Sequence, residues 1–86
     1  MSYSLTFTSH ARRQLDRLDG STKRRLRMAL EKLTQDPFAP GLDVKKLRGA
    51  PSYRLRVGDY RVVYEIDNAV VTITVIEVDH RRNVYR

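Results

Sequence analysis

The fourteen residues YRLRVGDYRVVYEI, positions 53–66, constrain this chain more than any other stretch. Two runs with the alternation of strands flank Gly58-Asp59, a dipeptide suited to the two-residue loop of a tight hairpin. Such a loop sets the pairing register, and register decides which side chains share a face. Val57 then faces Tyr60, Arg56 faces Arg61, Leu55 faces Val62 and Arg54 faces Val63. Leu55, Val57, Tyr60, Val62, Tyr64 and Ile66 point to one side and must pack on something apolar. Arg54, Arg56 and Arg61 converge on the other, with Glu65 beside them as a charge partner. Like charges directly opposite in a sheet destabilise it by a few tenths to about 1 kcal/mol. A face built this way suits an anionic ligand, and the competing reading is a merely solvated surface.

The rest of the chain supplies the packing partners. Tyr3, Leu5 and Phe7 alternate with Ser4, Thr6 and Thr8, the period of a half-buried strand. Thr8 or Ser9 can cap a helix carrying Ala11, Leu15 and Leu18 at helical spacing, ended by Asp19-Gly20. Ser21 can cap a second helix, with Leu26, Ala29, Leu30 and Leu33 as its apolar stripe and Lys23, Arg24, Arg25 and Arg27 crowding its first turns; Asp36-Pro37 stops it. Residues 38–43 read as a loop leading to 44–49. A last strand is expected over 70–78, joined to the hairpin by Asp67-Asn68. The expectation is an α+β fold of one domain over residues 1–86: an N-terminal strand, an antiparallel helix hairpin, then a three-stranded antiparallel meander, with all the strands in one sheet packed on the helices.

A formal charge of +7 on 86 residues directs attention to polyanions. Nucleic acid is favoured, because each phosphate met by Lys or Arg releases condensed counterions; the helices lack the bulky apolar face that membrane-surface helices use. With no cysteine there is no disulfide framework or thiolate metal site, which suits a reducing compartment. No apolar run could span a bilayer and no secretory signal pattern is present, so a cytoplasmic protein is expected, without membrane contact. The last eight residues, DHRRNVYR, place arginines beside an aromatic ring. Guanidinium for phosphate and ring for base stacking is what a single-stranded RNA asks for; a basic tail without a site is the alternative.

The stretches KKLRG, YRLRVGDYRVVYEI and VIEVDHRRNVYR, preceded by one strand and a helix hairpin, resemble the RelE/ParE superfamily of toxins from type II toxin–antitoxin modules. The resemblance covers essentially the whole chain and is strongest to the RelE branch, through the GDYRVVY core and the HRRxVY ending. It implies a RelE-like fold and a toxin that enters the ribosomal A site and cuts messenger RNA with neither metal nor small-molecule cofactor. The 2′-hydroxyl would attack the adjacent phosphate and expel a 5′-hydroxyl. It also implies two partners, the messenger-bearing ribosome with its rRNA and an acidic antitoxin. By position, Arg54 and Arg56 match the paired basic residues of the first hairpin strand, Arg61 the arginine of the core, Arg81 the arginine after the last strand and Tyr85 the tyrosine of the ending. Arg61 would hold the pentavalent phosphate, Arg81 would sit by the leaving oxygen, and Lys45, Lys46, Arg48 and Arg82 would contact RNA.

Where familiar members carry lysines on the hairpin, this chain has Arg54 and Arg56. An arginine does not act as a general base, since its pKa is about 12.5 to 13.8. Lys45 and Lys46 occupy the approach where some relatives offer a glutamate. Tyr85 is the candidate base, because a phenol among guanidiniums loses its proton more readily, and His80 is the runner-up; a slow enzyme working by positioning and charge needs no strong base. Two other readings stay open, a ParE-like poison of DNA gyrase and a non-catalytic module that binds RNA or antitoxin.

Overall fold

A computed structural model describes residues 2–80. Among them the chain runs β1 (Ser4–Phe7), α1 (Ser9–Asp16), α2 (Gly20–Gln35), β2 (Asp43–Lys46), β3 (Ser52–Val57), β4 (Tyr60–Asp67) and β5 (Thr72–His80). The strands form a mixed five-stranded sheet in the order β1-β5-β4-β3-β2. β1 pairs in parallel with β5, and the other neighbours are antiparallel. The helices lie between β1 and β2 in sequence, so they carry the chain across one face of the sheet from one edge to the other. α1 lies against β5 and β1, and α2 against β3.

Local chemistry sets the helix ends. Thr8 caps α1, its hydroxyl accepting from the Ala11 N–H at 3.1 Å. The cap of α2 is Asp19 and not Ser21 as the sequence suggested: its carboxylate accepts from the Thr22 N–H at 2.7 Å, while the Ser21 hydroxyl donates to that same carboxylate at 3.1 Å. A carboxylate meets the positive helix terminus with full charge, which a hydroxyl lacks. These hydrogen bonds hold the Asp19 carboxyl below its ordinary pKa, the Thr22 contacts contributing most.

The hairpin has the register its loop demands, with Val57 opposite Tyr60, Arg56 opposite Arg61, Leu55 opposite Val62 and Arg54 opposite Val63. Gly58 takes φ +59 while Asp59 stays at negative φ, the arrangement of a type II′ turn. Leu55, Val62 and Tyr64 enter the core with Ala11, Leu26, Leu30, Leu33, Ile73, Val75 and Val78, and Val57, Tyr60 and Ile66 pack at its margin. The core therefore fills the space between the helices and one face of the sheet.

Two further expectations are corrected. Part of the stretch assigned no strand, residues 43–46, adds as β2, because Val44 can seat against Leu55 while Asp43 and Lys45 alternate outward. The final connection is also longer than Asp67-Asn68. Asp67 still pairs with Thr72, leaving residues 68–71 as the turn. The Asp67 side chain accepts from the Ala69 N–H at 3.0 Å, which opens a wider turn. The turn closes on Val71 at φ +50, a left-handed conformation uncommon for a β-branched residue, pinned by its carbonyl accepting from the Ser4 N–H at 2.8 Å. Farther along, Tyr64 pairs with Val75 but Val63 with Glu77, so Ile76 is the extra residue of a bulge. The bulge swaps faces: Val78 follows Ile73 and Val75 into the core, and Glu77 and Asp79 turn to the arginine side.

Candidate nucleic-acid interface

The face of the sheet away from the helices gathers the positive charge. Arg54 and Arg56 come from β3, Arg61 from β4, Lys45 from β2, and Arg48 from the turn between β2 and β3, while Lys46, next along β2 and opposite Tyr53, alternates to the other face. Together with Leu47 and Gly49 they line an open cleft of about 680 Å³. The turn that brings Arg48 round is closed by the Leu47 N–H donating to the Ser52 carbonyl at 2.9 Å, with Gly49 at φ +74. Val63 is buried on this face, which gives the arginine stems an apolar floor.

The basic side chains are not equivalent. Arg54 is largely buried, and its Nη1 donates to the Asp43 carboxylate at 3.0 Å and to the Asp43 carbonyl at 3.2 Å. It ties β2 to β3, and its charge is already partly answered. Lys46 donates to the Ala50 carbonyl at 3.1 Å and lies 5.8 Å above the Tyr53 ring, so its ammonium is engaged inside the turn. Arg61 differs from both, because its Nε is buried and finds no acceptor. A buried donor left unpaired costs about 1–3 kcal/mol, and an anion entering the cleft would offer an acceptor. Lys45 sits opposite Arg54 and is exposed, as are Arg48 and Arg56.

Carboxylates border this cluster. Asp43 comes from the strand that sequence reasoning missed, where a four-residue segment with one apolar position carried no strand signal. Asp79 stands opposite Arg61, Glu77 opposite Val63, and Glu65 opposite Ser52. The Ser52 hydroxyl donates to Glu65 at 3.5 Å, so the role expected for Glu65, as partner of the arginines, belongs instead to Asp43 at Arg54. His80 stands opposite Tyr60, its ring edge-on with centroids 5.0 Å apart. That places it on the helix side of the sheet, away from Arg61, and removes it as a base for that site. Among the described residues no three His, Asp or Glu side chains gather as metal ligands would. Arg81, Arg82 and Tyr85 lie outside the described residues.

Three comparisons bear on this arrangement. Residues 5–85 match the model of the family described as the ParE toxin of type II toxin–antitoxin systems. The chain is 32% identical to the toxin RelG of Mycobacterium tuberculosis, over 100% of its own length and 99% of that protein's. It is 31% identical to the mRNA interferase toxin RelE of Escherichia coli, covering 94% of this chain and 85% of that one. In three dimensions it resembles the crystal structure of the archaeal RelE–RelB complex from Pyrococcus horikoshii, with a TM-score of 0.81 at 28% identity over 94% of this chain and 97% of that one.

Proposed function

This chain belongs to the ParE toxin family of type II toxin–antitoxin systems, and we propose that, like the relative named mRNA interferase toxin RelE, it acts on messenger RNA, as an endonuclease working on the ribosome. The observation that carries the reading is the cleft that joins Arg61, with its buried unpaired Nε, to Arg56, Arg48 and Lys45. A phosphodiester of a bound messenger supplies the acceptor that Arg61 lacks. Fixed positive charge is of most use where negative charge develops, on the pentavalent phosphorus of the transition state. In that step the 2′-oxygen loses its proton and bonds to phosphorus, the bond to the 5′-oxygen breaks, and the departing oxygen takes a proton. Arg54 serves as a strut that places β3 and shares in the field. Arg56, Arg48 and Lys45 hold the flanking backbone, joined by Arg82 and, in the turn, Lys46. Arg81 attends the leaving oxygen, and Tyr85 stacks on or orients a base, or takes the proton of the 2′-hydroxyl. Ribosomal RNA and an acidic antitoxin are the partners of so basic a chain.

The ParE name of the matching family favours a second reading, poisoning of DNA gyrase, in which the arginine cleft would be incidental. One experiment separates the two. The purified chain is added to a cell-free translation extract with primer extension on the messenger, and in parallel to a gyrase supercoiling reaction. Discrete breaks that need the ribosome support the nuclease; loss of supercoiling with an intact messenger would overturn it. A short acidic protein encoded alongside should bind this chain and relieve its effect in the active assay.

A further inference from the structure

β5 loses its neighbour halfway along. β1 pairs with it only as far as Phe7 opposite Val75, and the Thr8 N–H donates to the Val75 carbonyl at 2.9 Å as the chain turns into α1. Beyond that point the outer edge of β5 has no strand beside it among the described residues, yet Val78 is buried. Its N–H needs an acceptor that β1 no longer supplies. The Gln14 side chain supplies it: Oε1 accepts from the Val78 N–H at 2.7 Å, across 64 residues of sequence. Gln14 lies one turn past Ala11, which is fully buried in the core, so the helix that carries it is anchored. The Thr8 hydroxyl makes a second link, donating to the Ile76 carbonyl at the bulge at 3.4 Å.

The segment held in this way sets Asp79 opposite Arg61 and Val78 opposite Val62, and it leads directly into Arg81. The bulge makes this register local, since a slip of one residue would return Asp79 to the helix side and Val78 to the cleft side. We propose that Gln14 is a positioning residue for the cleavage site: standing in for the missing strand, its amide oxygen pins the end of β5 against β4 and so holds Arg61, with Asp79 facing it, in its working arrangement. The inference rests on the nuclease reading. It assigns a role in that reaction to a helix residue on the far side of the sheet from the cleft.

The test compares Gln14→Met, which keeps length and helix preference but has no amide oxygen, with Gln14→Glu, which keeps an acceptor at the same reach. Single-turnover cleavage of ribosome-bound messenger is measured against ribosome concentration, with amide hydrogen exchange followed at Val78. The expected result for Gln14→Met is a maximal rate lowered about 10- to 100-fold, the scale of a small misplacement of reacting groups, with half-saturation unchanged, faster exchange at Val78, and recovery of rate and protection in Gln14→Glu. A Met variant that cuts at the wild-type rate while the wild type is active would overturn this inference alone. So would a loss seen equally in the Glu variant or confined to half-saturation. A wild-type chain that cuts no messenger would overturn the nuclease reading and this inference with it.

Discussion

Replacing Arg61 with methionine should make the protein more stable and nearly inactive at once. The Arg61 stem runs over the sheet beside buried Val63, and a methionine of similar length preserves most of that packing. What leaves is a buried Nε with no acceptor, whose burial costs about 1–3 kcal/mol. Two cross-strand charge neighbours lose their partner with it, the opposed Arg56 and the facing Asp79. Each is worth a few tenths to about 1 kcal/mol with opposite sign, so they largely cancel. The net expectation is a gain of about 1–3 kcal/mol, a rise in Tm of about 4 °C or more for a domain of this size. If the guanidinium holds the phosphate as charge develops, its loss should lower single-turnover cleavage about 10²–10³-fold, the scale for removing one transition-state donor. Thermal unfolding and ribosome-dependent cleavage on the same preparation check both halves. A variant less stable than the wild type would refute the unpaired-donor argument; one that is stable and fully active would refute the assignment of Arg61 to the phosphate.

Further outcomes follow from the same structure. Tyr64 is fully buried with its hydroxyl unpaired, and burial, followed by the nearby Tyr53, raises its pKa to about 12. The unfolded chain therefore loses this proton first, near pH 10, so the stability from the protonated phenol is intact below about 10 and drains away as pH rises toward about 12. Urea unfolding across that interval should show a shallower loss in Tyr64→Phe than in the wild type, and identical slopes would contradict the burial. Asp43→Asn removes the carboxylate charge from Arg54 in a pair exposed on the Asp43 side, so stability should fall by about 0.2–1 kcal/mol, less in high salt; a larger loss would show that β2 depends on that pair. For Tyr85, a chemical role predicts that Tyr85→Phe and Tyr85→Ala are both crippled, by about 10²–10⁴-fold. A stacking role predicts that only the alanine variant suffers, by about 1–3 kcal/mol, and single-turnover rates distinguish them.

What the sequence determined by itself was local. The Gly58-Asp59 loop and the alternation around it sufficed for the register that opposes Arg56 to Arg61, because a two-residue turn leaves no freedom to slip. Helical spacing of Leu26, Leu30 and Leu33 was enough to find the buried stripe of α2. Tertiary structure decided whatever depends on a partner distant in the chain. Asp43–Lys46 becomes a strand only because β3 offers an edge to pair with, and that pairing brings Asp43 to Arg54. The face on which Asp79 and His80 sit turns on one extra residue at Ile76, and a bulge of that kind leaves no periodic trace to read. In the sequence Gln14 is one polar residue of a helix among others; its meaning comes from β1 ending at Phe7 while β5 continues, which leaves the Val78 N–H to be satisfied from a helix 64 residues away. Alternation and spacing report the contacts a residue makes with its own neighbourhood, whereas unpaired backbone groups and strand edges exist only after the sheet has been assembled.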